Sequence, residues 1–199
     1  MLPLRVLFLN WRDSTHPEGG GSEEYVERVA ERFVRAGSSV TLFCAAHGDA
    51  PRDEVLPTGV RVVRRGGRFS VYLQAMLRLR LGLLPAHDVV VDVQNGVPFW
   101  STLAGSRPVV LLCHHVHREQ WHVVLPRHIA AVGWWLESRL APRAYRSCQY
   151  VTVSQATLHE LTQLGVDPAR LRVVREESHG DRPTRLSQKS PWEEGAPCG

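Results

Sequence analysis

The stretch Glu18–Gly19–Gly20–Gly21–Ser22–Glu23–Glu24 decides how the chain is read. An apolar run, Arg5–Val6–Leu7–Phe8–Leu9–Asn10–Trp11, precedes it and predicts a first buried strand. Val26, Val29, Ala30, Phe33 and Val34 follow at helical spacing. Strand, glycine loop and helix together bring backbone close to a ligand. Glycine has no Cβ and tolerates positive φ, so three in a row permit a tight path. The helix start offers unpaired N–H groups and the positive end of its dipole, where a phosphate or a sugar hydroxyl can sit. The same residues also make a plain flexible turn with Ser22 as helix cap. The loop does not fit a dinucleotide fingerprint: Gly19 and Gly21 are followed by Glu24 rather than a third spaced glycine, and Arg12–Glu18 separates them from the strand. That argues against a nicotinamide-dependent enzyme.

Outward from this loop, strands alternate with helices. Val40–Cys44, Val60–Arg64, Asp88–Val93, Pro108–Cys113, Tyr150–Val153 and Leu171–Val174 read as further strands. Phe69–Leu84, a short Phe99–Ala104 segment, Leu125–Arg146 and Gln155–Leu164 read as helices, with Val71, Leu73, Met76, Leu77 and Leu81 forming the apolar spacing of the first. Ala36–Gly37 marks a helix stop and Ser154 a cap. This order predicts an α/β fold with a doubly wound, mostly parallel, Rossmann-like sheet over residues 1–174. Ligands of such sheets bind outside the carboxyl ends of the strands, which here carry Asn10–Gly21, Ala45–Pro51, Gln94–Trp100 and His114–His122. After Val174 the chain turns to charge, Pro, Gly and Ser, and residues 175–199 read as a divergent, disordered tail.

With 199 residues and 43% hydrophobic content the chain can bury a full core. The net charge of +4, almost all from arginine, suits an anionic ligand or membrane surface, but no basic run is dense enough for nucleic acid. Cys44, Cys113, Cys148 and Cys198 form no C-x-x-C pair and fit free thiols in a reducing cytosol. The strand-like start implies no signal peptide, and no apolar run reaches the roughly 18 residues of a membrane span. A cytoplasmic protein is expected. Trp121, Trp134 and Trp135 beside Arg127, Arg139, Arg143 and Arg146 add a possible peripheral contact with an anionic bilayer, against packing of at least one of Trp134 and Trp135 in the core. His114-x-x-His117 supplies only two zinc ligands, so no metal site is assigned.

Three places together resemble the N-terminal half of a family 4 glycosyltransferase of GT-B architecture: the strand with Gly19–Gly20–Gly21–Ser22–Glu23, the run Val109–Val110–Leu111–Leu112–Cys113–His114–His115–Val116–His117–Arg118–Glu119–Gln120–Trp121, and Val151–Thr152–Val153–Ser154 with Gly165–Val166–Asp167–Pro168–Ala169–Arg170–Leu171–Arg172–Val173–Val174. The resemblance implies retaining transfer of a sugar from a nucleotide-sugar to an acceptor hydroxyl on a glycan or lipid-linked acceptor, with no cofactor and no metal. It assigns His114 to the reacting centre, and Gly19, Gly20, Gly21, Ser22 and Glu23 to donor and acceptor contact. Asn95, His115, His117 and Glu119 complete the binding set. Arg175–Glu176–Glu177–Ser178–His179 stands where the family continues into its donor-binding domain, as after a frameshift or a cut gene. The chain alone is therefore expected to be inactive without that domain or a complementing chain, and a non-catalytic glycan- or nucleotide-binding module is the alternative. Apolar surface near Phe99, Trp100 and Trp121 is expected to lie bare and to favour self-association.

Overall fold

The computed structural model describes residues 3–105, 107–117, 121 and 126–174. Glu119, His122 and the tail 175–199 lie outside them. Among the described residues eight strands form one sheet: β1 (Arg5–Leu9), β2 (Ser39–Cys44), β3 (Asp53–Val55), β4 (Arg61–Arg64), β5 (Val89–Asn95), β6 (Val109–His115), β7 (Gln149–Thr152) and β8 (Leu171–Val173). Their order is β3-β4-β2-β1-β5-β6-β7-β8. All pairings are parallel except β3 with β4. The chain runs from β1 outward through β2 to β4, then returns to β5 on the other side of β1. The switch point, where loops diverge and leave a crevice, therefore lies between the ends of β1 and β5.

The helices are α1 (Gly21–Arg35), α2 (Ser70–Arg80), α3 (Ser101–Ala104), α4 (Arg127–Trp135), α5 (Ala141–Ala144) and α6 (Gln155–Gln163). Helix α1 covers one face of the sheet, where Tyr25, Val26 and Ala30 pack on Val6, Phe8, Val40, Leu42 and Val62. On the other face, Val71 and Ala75 of α2 pack on Leu7, Leu9 and Phe43, and Tyr145 and Leu161 pack on Leu111 and Cys113. Burial of this many aliphatic side chains, each contributing roughly 1.5–3 kcal/mol, stabilises the sheet.

Several expectations are corrected. Strand β3 has no apolar alternation to announce it; it is an edge strand held by charge, with Asp53 salt-bridged to Arg61 (3.7 Å) and Arg65 (2.5 Å). Helix α2 stops at Arg80, before Gly82 at φ +64°. It buries its small face, so Leu73 (58% exposed), Leu77 and Leu81 point outward rather than into the core. The helix expected over Leu125–Arg146 is α4 and α5 joined by a π-turn, Leu136–Leu140. Phe99 is not bare but fully buried against Tyr72, with ring centroids 4.6 Å apart. Trp100 and Trp121 are half-buried. Exposed apolar side chains lie on α2, on α4 at Ile129, Val132 and Trp135, and at Phe69 and Leu103. Trp134 is half-buried and Trp135 is exposed. Ser154 does cap α6, accepting from Thr157 N–H at 3.1 Å, and Gly37 closes α1 at φ +85°. Cys44, Cys113 and Cys148 are buried free thiols.

Candidate functional site

A cavity of about 960 Å³ opens at the switch point. Its wall on one side is the loop after β1 and the first turn of α1; on the other it is the end of β6 and Trp121.

The loop Trp11–Gly20 is built on buried polar contacts. Asp13 is 1% exposed and accepts from Arg64 Nε–H (2.5 Å) and from both the backbone N–H and the hydroxyl of Thr15 (3.1 and 2.8 Å). His47 Nε2 lies 3.1 Å from Asp13 Oδ1, the oxygen that Thr15 also bonds. Burial works against the Asp13 carboxylate, but Thr15 and the Arg64 charge outweigh it and leave its pKa below the ordinary value. Ser14 adds two bonds to Glu27 of α1, at 2.8 and 2.7 Å. Gly19 is required by packing: a Cβ there would stand 2.9 Å from the His16 carbonyl oxygen.

The cap of α1 is Gly20, not Ser22. Glu23, 1% exposed, folds back so that its Oε2 accepts the Gly20 N–H at 2.8 Å. Gly19, Gly20 and Glu23 therefore shape the loop, while Gly21 and Ser22 line the cavity. Their first-turn amides have no acceptor within the helix. No heavy atom lies within 4 Å of where a Gly21 Cβ would stand, so the backbone is open to a ligand there.

Across the cavity, β6 delivers His114. It is 3% exposed and its Nε2 has no hydrogen-bond partner. Tyr25, one turn into α1, packs edge-on to it with centroids 5.2 Å apart. Thr157 of α6 donates its hydroxyl to the His114 carbonyl at 3.0 Å, which fixes the strand end from behind. Burial, and then the neighbouring His115 and His117, push the His114 pKa down to about 4. The ring is thus neutral at ordinary pH and offers one donor and one acceptor nitrogen. His115, on the exposed side of the strand end, and His117 line the same cavity, as does Asn95. Asn95 donates to Asn10 Oδ1 at 3.2 Å, joining the ends of β1 and β5. Behind it, fully buried Asp92 organises the β5–α3 loop, accepting from Phe99 N–H (2.9 Å), the Ser101 hydroxyl (2.6 Å) and the Tyr145 hydroxyl (2.5 Å).

Trp11, Arg12, Tyr25, Arg68, Tyr72 and Trp121 also line the cavity and were not singled out for it from sequence. Tyr25 was readable in principle, since it lies four residues from Gly21 on the same helix face. Among the described residues no carboxylate lines the cavity, whose lining includes Arg12, Arg68 and three histidines. Among the described residues no three His, Cys, Asp or Glu side chains are grouped to hold a metal ion. The cavity can accept an anionic or polyhydroxylated ligand with aromatic contact.

A doubly wound sheet with its ligand cavity at the switch point, walled by a helix start and a buried histidine, is the arrangement of one Rossmann-like half of a GT-B fold. The sequence profile of Glycosyltransferase Family 4 matches residues 19–175, and the chain belongs to that family. The fold is similar to that of Anabaena Alr3699/HepE, crystallised in complex with UDP and glucose, at a TM-score of 0.51 and 14% identity over 86% of this chain. The structure of the same protein in complex with UDP-glucose gives the same TM-score and identity. The chain spans 44% and 43% of those two chains. No curated protein matches the sequence.

Proposed function

We propose that this chain is the acceptor-side half of a retaining, nucleotide-sugar-dependent glycosyltransferase. The observation that carries this reading is His114, a buried neutral imidazole with an unpartnered Nε2, on a cavity it shares with the open first turn of α1. In the reaction the C1–O bond to the diphosphate breaks and the acceptor oxygen bonds to C1 on the same face. The acceptor proton leaves with the nucleoside diphosphate. His114 hydrogen-bonds the transferred sugar near the reacting carbon, where a fixed dipole in a water-poor site acts most strongly. The amides of Gly21 and Ser22 and the Arg12 guanidinium face the donor's phosphates, so the proposal requires no metal or cofactor. UDP and UDP-glucose, the ligands in the HepE structures, define the first donors to try.

The chain spans less than half of those relatives, which favours inactivity in isolation: transfer needs both reactants held in register. A non-catalytic glycan- or nucleotide-binding module is the second reading, and the same coverage favours it. The exposed Ile129, Val132 and Trp135 beside Arg139 and Arg143 support peripheral contact with an anionic bilayer, consistent with a lipid-linked acceptor. Among the described residues no helix is long and apolar enough to cross a membrane.

A thermal-shift screen with nucleotide-sugars, nucleoside diphosphates and simple glycosides tests the reading. A ligand at a hundredfold above its Kd stabilises by about 2.7 kcal/mol, and His114→Ala is expected to reduce that gain. No shift with any member of the panel would defeat the reading. Sugar transfer by the isolated chain would defeat its half-site part, and absence of co-sedimentation with anionic vesicles would remove the membrane contact.

A further inference from the structure

Residues Arg127–Ala144 carry an inverted pattern. Ile129, Val132 and Trp135 face solvent, while Glu137 is 1% exposed. Glu137 is the only acidic residue between Leu125 and Arg146. It stands in the π-turn Leu136–Leu140, a device that re-aims side chains and recurs at functional sites. Burying a carboxylate is costly unless it is fully hydrogen-bonded, and this one gathers donors from the cavity wall. Its Oε2 accepts the Trp121 Nε1–H at 2.6 Å, and its Oε1 accepts the His117 backbone N–H at 3.0 Å.

The indole so held abuts two glycines. A Cβ on Gly96, at the end of β5, would stand 2.9 Å from Trp121 Cζ2; one on Gly133, on α4, would stand 2.7 Å from Cε3. Both glycines leave room for the ring, and any side chain at either would displace it. Trp121 is half-buried and lines the cavity, with Asn95 and His117 beside it. A large aromatic face, locked in one rotamer and rimmed by an amide and an imidazole, matches a pyranose ring. Such a ring has an apolar C–H face and hydroxyls at its edge. Locking the indole in advance lowers the ordering cost of binding.

We propose that Trp121 is a fixed platform on which a sugar ring of the acceptor stacks through its C–H face, and that Glu137 is the positioning residue that holds the indole in place. The proposal rests on the acceptor-side reading above and deepens it.

The test is ligand-observed saturation-transfer NMR on the full chain with the methyl pyranosides of glucose, galactose, mannose and N-acetylglucosamine. Wild type binds at least one, with transfer concentrated on one C–H face. Trp121→Leu weakens binding roughly tenfold, the scale of one aromatic contact, and Trp121→Phe retains most of it. Glu137→Gln keeps only one accepting oxygen, so the indole N–H and the His117 N–H can no longer both be satisfied. It spreads the transfer over the whole ring, a change of epitope that lost stability alone would not cause. Trp135→Leu, at an exposed tryptophan away from the cavity, leaves binding unchanged. A folded Trp121→Leu that binds as wild type does would overturn the platform while leaving glycan binding intact. Failure of wild type to bind any of the four would overturn the acceptor-side reading along with it.

Discussion

The two rims of the cavity are held by different means. On the α1 rim, a loop of ten residues is tied down by the Asp13–Arg64 ion pair, His47, Thr15 and Glu27, so that many polar contacts share the work. On the β6 rim, one carboxylate from the π-turn after α4, Glu137, bonds the His117 backbone and the Trp121 ring. The first rim is tied by many contacts, among them Arg64 and His47 from beyond its own strand–loop–helix; the second hangs on one carboxylate. The difference predicts that damage to the α1 rim appears as lost stability. Damage to the β6 rim appears as lost binding.

The largest effect is expected from Asp13→Ala, which leaves the Arg64 guanidinium, itself 1% exposed, with Glu54 as its remaining carboxylate. Removing one partner of a buried pair costs about 3–5 kcal/mol, read as the change in urea unfolding free energy. A loss below about 1 kcal/mol, the scale of a surface pair, would show that the loop is not held this way.

Next in size is a pH effect. His114 has a folded pKa of about 4, below its ordinary value of 6.5. The unfolded chain therefore binds a proton that the folded chain does not between these two values. Stability falls as pH drops through that window, by on the order of 3 kcal/mol in total, and the loss levels off below it. Comparison of unfolding free energies for wild type and His114→Gln isolates this term, since the variant should lack that part of the acid dependence. Parallel pH curves would contradict the buried, neutral ring.

Glu137→Gln is expected to cost less stability, about 1–3 kcal/mol for one mismatched buried hydrogen bond. A larger loss than that of Asp13→Ala would reverse the comparison of the two rims.

The smallest effects separate the glycines. Gly21→Ala should stabilise by up to about 1 kcal/mol, because α1 gains a better helix former in open space. Gly19→Ala should destabilise, because its Cβ meets the His16 carbonyl. Equal thermal shifts for the two would show that the loop does not distinguish them.

Much of the fold was legible. Long apolar runs such as Val89–Val93 and Val109–Leu112 can only be buried strands in a chain whose helices alternate with them. Edge strand β3 escaped because its three residues, Asp53–Val55, carry no apolar alternation. The facing of α2 was misread because leucines at helical spacing suggest burial, whereas its small residues Val71 and Ala75 fit closest to the sheet. Of the site, the glycine loop and the end of β6 could be placed by rule, since ligands gather at strand ends. The division of labour within Gly19–Glu23 could not, because it depends on which way Glu23 folds back. Glu137 left one signal, a lone acid in a basic and aromatic helix, but its partners Trp121 and His117 come together only in three dimensions.

The central claim is that the cavity between the first turn of α1 and His114 is where sugar ligands bind. Imidazole NMR on the selectively labelled chain, titrated with nucleotide-sugars and glycosides, tests it most directly, with His114→Gln assigning the signal. The account predicts a saturable shift of the His114 ring for at least one ligand, while His87, at the opposite end of β5, and His159, on α6, stay still. An unmoved His114, or a shift confined to His87 or His159, would contradict it.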